Sequence, residues 1–117
     1  MLHVKIKRIY DEPADDDGYR ILVDRLWPRG ISKEEAKLDE WNKEIAPSTE
    51  LRKWFDHKED RFKEFAKCYH EELKNNEGDL DHLRKSLMRK LLRFCMHQKN
   101  PELNQAVVLR DVLFGRN

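Results

Sequence analysis

Two arginines, a carboxylate and an indole fall within seven residues, Asp24-Arg25-Leu26-Trp27-Pro28-Arg29-Gly30. Guanidinium forks match phosphate and carboxylate oxygens in two-point contact, so Arg25 and Arg29 suit an anion. Trp27 offers a ring on which a planar ligand can stack, and Asp24 can orient Arg25 or act as a base. The same residues also have a structural reading. Asp24 can pair with an arginine to hold the loop, Trp27 can cap the core, and residues 28–30 can form only a tight turn. The residues alone do not separate these readings. His97 invites an acid/base role, against the plainer reading of a surface histidine. There is no Gly-rich phosphate loop, Gly-x-Ser-x-Gly or Cys-x5-Arg motif, so no catalytic residue is assigned.

The elements that must carry these groups follow from periodicity. Apolar and charged residues alternate in the first nine positions, which predicts a strand over 2–9 with one buried face. An acidic loop follows at 11–18, with Pro13 and Gly18 as punctuation. Its three aspartates lack alternate-ligand spacing and a closing Glu, so it reads as a solvated loop with room for one helical turn, and no metal is assigned. The Ile21-Leu22-Val23 centre predicts a strand over 20–26, covered on both faces. Ser32 and Glu35 fit a capping box, and Leu38, Trp41 and Ile45 read as the stripe of the helix that follows.

Pro47-Ser48 ends that helix and starts another over 50–55. Asp56 and Glu59 repeat the cap pattern before a helix carrying Phe62, Phe65, Ala66, Tyr69 and Leu73, and residues 75–78 close it. Asp79 or Asp81 caps a helix with Leu80, Leu83 and Leu87. A third strand is expected over 91–96. Asn100-Pro101 then reads as a helix start, with Gly115 as the stop. Trp41 and Trp54 are expected in the core, with Trp54 as an alternative pocket wall beside Arg52 and His57.

This alternation implies an α/β class: a small, mostly parallel three-stranded sheet packed with about five helices, as a single layer-type domain over 1–117. Ligands of such sheets bind beyond the carboxyl ends of the strands. The loop at 24–30 and the segment 97–104 should share that end, where a helix N-terminus favours an anion.

The totals narrow the function classes. Of the 117 residues, 40% are charged, yet the net charge is +1, without the basic excess of a nonspecific nucleic-acid binder. Cys68 and Cys95 stand far apart in apolar surroundings, which predicts two reduced core thiols in a cytoplasmic protein. No stretch has signal-peptide character or membrane-span length.

The stretches "VDRLWPRG" and "APSTELRKWF", with "NQAVVL" near the C-terminus, strongly resemble the YeaO-like family within the domain of unknown function 488 group. The resemblance covers almost the whole chain. It implies a small intracellular α/β fold and supplies no established activity. It marks Asp24, Arg25, Trp27, Pro28, Arg29 and Gly30, then Pro47, Ser48, Leu51, Arg52, Trp54, Phe55, Asn104 and Ala106. The chain departs from the family pattern at Asn100, where Asp is usual, and at Leu103, where His is usual. Both departures weaken an acid/base role.

The combined reading is a binder of a small anionic ligand bearing phosphate or carboxylate. Its candidate residues are Asp24, Arg25, Trp27, Arg29, Gly30, Arg52, His97, Asn100 and Asn104, and no cofactor is assigned. The alternative is a regulatory or interaction protein that binds nucleic acid or a protein partner through residues such as Arg84-Lys85 and Arg89-Lys90. The balanced charge weakens that alternative. A homodimer using the sheet end as a subunit contact is the third.

Overall fold

The structure is a computed structural model that describes residues 3–115. Leu2, part of the expected first strand, lies outside them. The strands are β1 (Val4–Arg8), β2 (Tyr19–Leu22), β3 (Glu40–Trp41) and β4 (Leu92–Met96). The helices are α1 (Lys33–Ala36), α2 (Thr49–Phe55), α3 (Phe62–Lys74), α4 (Glu77–Leu87) and α5 (Gln105–Leu113), with single 3-10 turns at Asp15–Asp17 and Glu59–Arg61. The sheet is parallel throughout, in the order β1-β4-β2-β3. No helix among the described residues is long and apolar enough to cross a membrane.

Strand alternation sorts the side chains onto two unequal faces. Val4, Ile21, Leu92 and Phe94 enter the main core with Phe65, Tyr69, Leu73, Leu83 and Leu109. Leu22 and Cys95 point the other way, into a smaller cluster with Ile9 and Ala36 that Trp27, Leu38 and Trp41 cover. The expected burial of Ile21-Leu22-Val23 on both faces is what the fold shows. On the thinner face, Asp17 is 2% exposed. It meets Arg20 Nη1 at 2.5 Å, Lys7 Nζ at 3.1 Å and Arg93 Nε at 3.6 Å. Gly18 lets the acidic turn enter β2. Its φ is +77°, and a Cβ there would lie 2.6 Å from the Leu91 carbonyl oxygen.

Several expected boundaries move. The three-stranded sheet gains β3, because the helix after Ser32 stops at Ala36. Its capping box forms, but Lys37 turns left-handed and closes it. Asp39 then takes the Arg20 N–H on its carboxylate at 2.8 Å and returns its own N–H to the Arg20 carbonyl, docking the chain on the edge of β2. Asp56 ends α2 in a left-handed conformation instead of starting α3. Asn76, not Asp79 or Asp81, is the N-cap residue of α4. Asn100-Pro101 forms a turn, and α5 starts four residues later, where the Asn104 side chain accepts the Val107 N–H. Trp54 is 42% exposed, since Leu51 and Phe55 take the inward face of α2. Cys95 is buried as expected, but Cys68 is exposed, on the outer side of α3.

Candidate functional site

Because the sheet is parallel, the chain leaves β1, β2 and β4 at one edge. The 24–30 and 97–104 segments therefore share an end, as the architecture required. They are also bonded to each other there. One Asp24 oxygen accepts both the His97 backbone N–H, at 2.9 Å, and His97 Nδ1, at 3.0 Å. Its other oxygen accepts from the Gln105 side-chain amide, whose carbonyl in turn accepts from Gln98 at 2.9 Å. The carboxylate is 5% exposed. An imidazole that donates through Nδ1 keeps Nε2 as its second polar atom, so the geometry orients His97 as an aspartate-held acceptor or acid.

Around this dyad lies a pocket of about 330 Å³. Its cations are Arg25, Arg52 and Lys53, against the carboxylates of Asp24 and Asp56, with His57 and His97 able to add charge. Phe55 and Phe65 form its apolar wall. Arg25 is fixed by donating to the Pro47 and Ala46 carbonyls at 3.0 and 2.9 Å. The Tyr69 hydroxyl holds the neighbouring Ile45 carbonyl at 2.6 Å, and burial pushes that phenol's pKa up, so it stays a donor. Ser48 then caps α2 at the Leu51 N–H and is itself held by Glu72, at 2.8 Å through its N–H and 2.5 Å through its hydroxyl. Thus the Ala-Pro-Ser stretch anchors the short helix that carries Arg52.

Arg52 differs from Arg25 in one respect. Its Nε is buried and has no hydrogen-bond partner among the described residues. The chain beyond it is also unusual. Asp56 and His57 have φ of 48° and 56°, a left-handed pair without glycine at the pocket rim. The His57 and His97 rings meet edge to face with centroids 5.5 Å apart.

A second hollow of about 430 Å³ shares Phe55, His57, His97 and Gln98 with the first and continues to Tyr10, Asn100 and Leu103. Of the sequence-derived candidates, Asp24, Arg25, Arg52 and His97 line the first pocket and Asn100 the second. Trp27, Arg29 and Gly30 line neither. Trp27 donates to the Ile31 carbonyl at 2.8 Å and packs edge to face on Trp41, 5.3 Å between centroids, over the thinner sheet face. Arg29 is exposed, and its carbonyl accepts the Tyr10 hydroxyl at 2.8 Å. Gly30 supplies a positive φ of 77° in open space. Asn104 is buried and fully engaged, capping α5 and donating to the Asn100 carbonyl at 2.8 Å. Asp24 holds His97 and Gln105, not an arginine.

Sequence reading missed His57, Gln98 and Gln105 as lining residues. The first had a signal: Asp-His directly after an amphipathic turn suits a left-handed helix end. The glutamines had none, since their role depends on meeting Asp24 across the fold.

The chain has clear relatives. The family model described as the inactive DUF488-N3 subclade matches residues 3–116. The uncharacterised protein YeaO of Escherichia coli (strain K12) is 45% identical over 112 residues, covering 96% of this chain and 97% of that one. The uncharacterised protein Rv3073c of Mycobacterium tuberculosis (strain H37Rv) is 41% identical over 113 residues, covering 97% and 95%. No solved structure matches. With a parallel α/β sheet, a match over nearly its whole length and the Asp-Arg-Leu-Trp-Pro-Arg-Gly loop in place, the chain belongs to the YeaO-like DUF488 family, in its inactive N3 subclade.

Proposed function

We propose that the protein binds a small molecule through its phosphate or carboxylate group, in the pocket beyond β2 and β4. The charge balance of the pocket carries this reading. Arg25, Arg52 and Lys53 line it against Asp24 and Asp56, so fixed cations outnumber carboxylates there. Arg52 Nε is also buried without a partner among the described residues, as are Arg110 Nε and His70 Nε2, and an anion met by a shift of the Arg52 side chain gives it an acceptor. The family's description as inactive suits a protein that binds without turning its ligand over. The Asp24–His97 pair then positions His97 to bond the ligand.

The nucleic-acid alternative rests on the basic pairs of α4 and the turn after it. Arg84 already lies 3.5 Å from Asp81 and 3.6 Å from Glu77, and Lys90 sits over the Tyr19 ring at 3.9 Å. The unpaired cysteines suit a reducing compartment such as the cytoplasm.

The test compares the wild type with Arg52→Met in thermal shift and calorimetric titration with inorganic phosphate and citrate. A ligand that binds only the folded state raises its melting temperature. The variant should be at least as stable as the wild type, since it removes a buried donor without a partner, and lose the response. A wild type indifferent to both anions, or a variant that responds as well as the wild type, would sink the proposal.

A further inference from the structure

We infer that the ligand joins a flat ring to its anionic group, as an aryl or heteroaryl phosphomonoester does; this rests on the anion reading above. The second hollow is the reason. It lies against the charged pocket, with Phe55, His57, His97 and Gln98 lining both, so a ligand that reaches past these side chains occupies both. The two spaces differ in chemistry. In the second, the main polar side chains are already engaged within the protein. Arg8 donates to the carbonyls of His97 and Gln98, both at 3.1 Å. The Asn100 side chain accepts the N–H groups of Glu102 and Leu103 and donates to Glu59.

What remains for a ligand, beside the exposed Lys99, is ring and aliphatic surface: Tyr10, Phe55, Leu103 and the two imidazoles. Tyr10 is 42% exposed, which for a free aromatic side chain would also mean a mobile one. Here it is fixed at both ends. Its hydroxyl bonds the Arg29 carbonyl, and the Arg8 guanidinium lies 5.0 Å from its ring centroid. A rigid ring and an aliphatic side chain beside an anion pocket favour a planar apolar group over a sugar or a chain, whose hydroxyls would find few open partners. The hollow is large enough for one ring, and its shared wall places that ring one linkage away from the charged group.

The experiment is calorimetric titration of the full chain with inorganic phosphate, phenyl phosphate and pyridin-3-yl phosphate. Either or both of the ring esters should bind at least about tenfold more tightly than phosphate. The tighter of the two identifies the ring as plain aryl or as heteroaryl. Leu103→Trp fills the hollow and should bring the ring-bearing probes to within about threefold of phosphate while leaving phosphate affinity unchanged. Tyr10→Ala removes the flat wall and should narrow the same gap, which covers the case of a misfolded tryptophan variant. Equal affinity for all three probes in the wild type would overturn the ring assignment and leave the anion site standing. A gap that survives both variants would overturn it too. Binding of none would remove the anion reading and this inference together.

Discussion

Asp17 and Asp24 are both buried acids flanking β2, and they are handled in opposite ways. Asp17 is surrounded by charge: Lys7, Arg20 and Arg93 all lie within 3.6 Å of it. The two arginines are in turn tied to backbone carbonyls, Arg20 to Ala36 and Lys37, Arg93 to Asp16 and Asp17. Asp24 is held by donors that need not be charged, His97 and Gln105, while Arg25 and Arg52 face the pocket without touching it. Around Asp17 every strong group is matched inside the protein, which is how a fold closes a polar layer. Around Asp24 the carboxylate is matched, but Arg52 Nε beside the same pocket is buried without a partner among the described residues. On the proposed reading, that difference tells a structural charge cluster from a binding site better than burial does.

Breaking the first cluster should produce the largest effect. Asp17→Ala leaves Lys7, Arg20 and Arg93 without their carboxylate, a loss of about 3–5 kcal/mol, measured by urea denaturation, with phosphate affinity unchanged once the chain is folded. The pH dependence has a definite sign. Burial alone would raise the Asp17 pKa, but the Ala14 N–H and the side chains of Lys7 and Arg20 override it and hold the carboxyl at about 2, below its ordinary 3.8. A depressed carboxylate stabilises the fold above the unfolded value. The contribution, on the order of 2 kcal/mol, should be present above pH 4 and vanish as pH falls toward 2. Wild-type stability should drop across that window, and the alanine variant should drop less.

Asp24→Ala should cost less, about 2–3 kcal/mol, because it strands an amide, a backbone N–H and an imidazole rather than two guanidiniums and an ammonium. It should also release His97, visible as a change in the ring's NMR chemical shifts. If Asp24→Ala proves more destabilising than Asp17→Ala, the contrast between the two acids is wrong. Arg25→Ala comes next. It removes two bonds to carbonyls of the turn before α2, about 1–2 kcal/mol, and also weakens anion binding, whereas Arg52→Met should affect binding alone.

The contrast also marks what a sequence can disclose. The strands around Ile21 and Phe94 were readable because alternation and continuous apolar runs reflect how a sheet is covered. β3 was not, because two residues carry no period and its pairing depends on Asp39 meeting Arg20. Asp24, Arg25 and His97 were accessible as site candidates because they follow apolar segments that had to end at a common edge, and Arg52 because Phe55 needs the core and brings its helix close. Arg29 and Trp27 looked equivalent to them by adjacency. After Val23, however, the chain turns over the sheet edge, so neighbours in sequence serve opposite faces. Asp17 read as one of three solvated acids, since nothing local announces that strand residues from β1, β2 and β4 converge on it.

The smallest expected effect concerns the cysteines, and it gives a direct probe of the Asp17 layer. Cys95 lies on the thinner sheet face with Leu22, in register with Lys7, beside the cluster around Asp17. Burial pushes its thiol up to about 11, so at neutral pH little thiolate exists and labelling requires the layer to open. Cys68 is exposed, with its sulfur 3.9 Å from Glu64, and needs no opening. Native wild-type protein should therefore take up one equivalent of a thiol reagent quickly and the second slowly, with no change of melting temperature on adding a reducing agent. Asp17→Asn, a milder change than alanine, should speed the slow phase about tenfold for each 1.4 kcal/mol of stability it removes. Asp24→Asn should leave the slow phase nearly unchanged even where it lowers global stability, because the carboxylate it alters is on Gln105 and His97, not on the layer over Cys95. Equal acceleration per kcal/mol in the two variants would show that Cys95 is reached only through global unfolding, and the Asp17 cluster would then not be a separately opening layer.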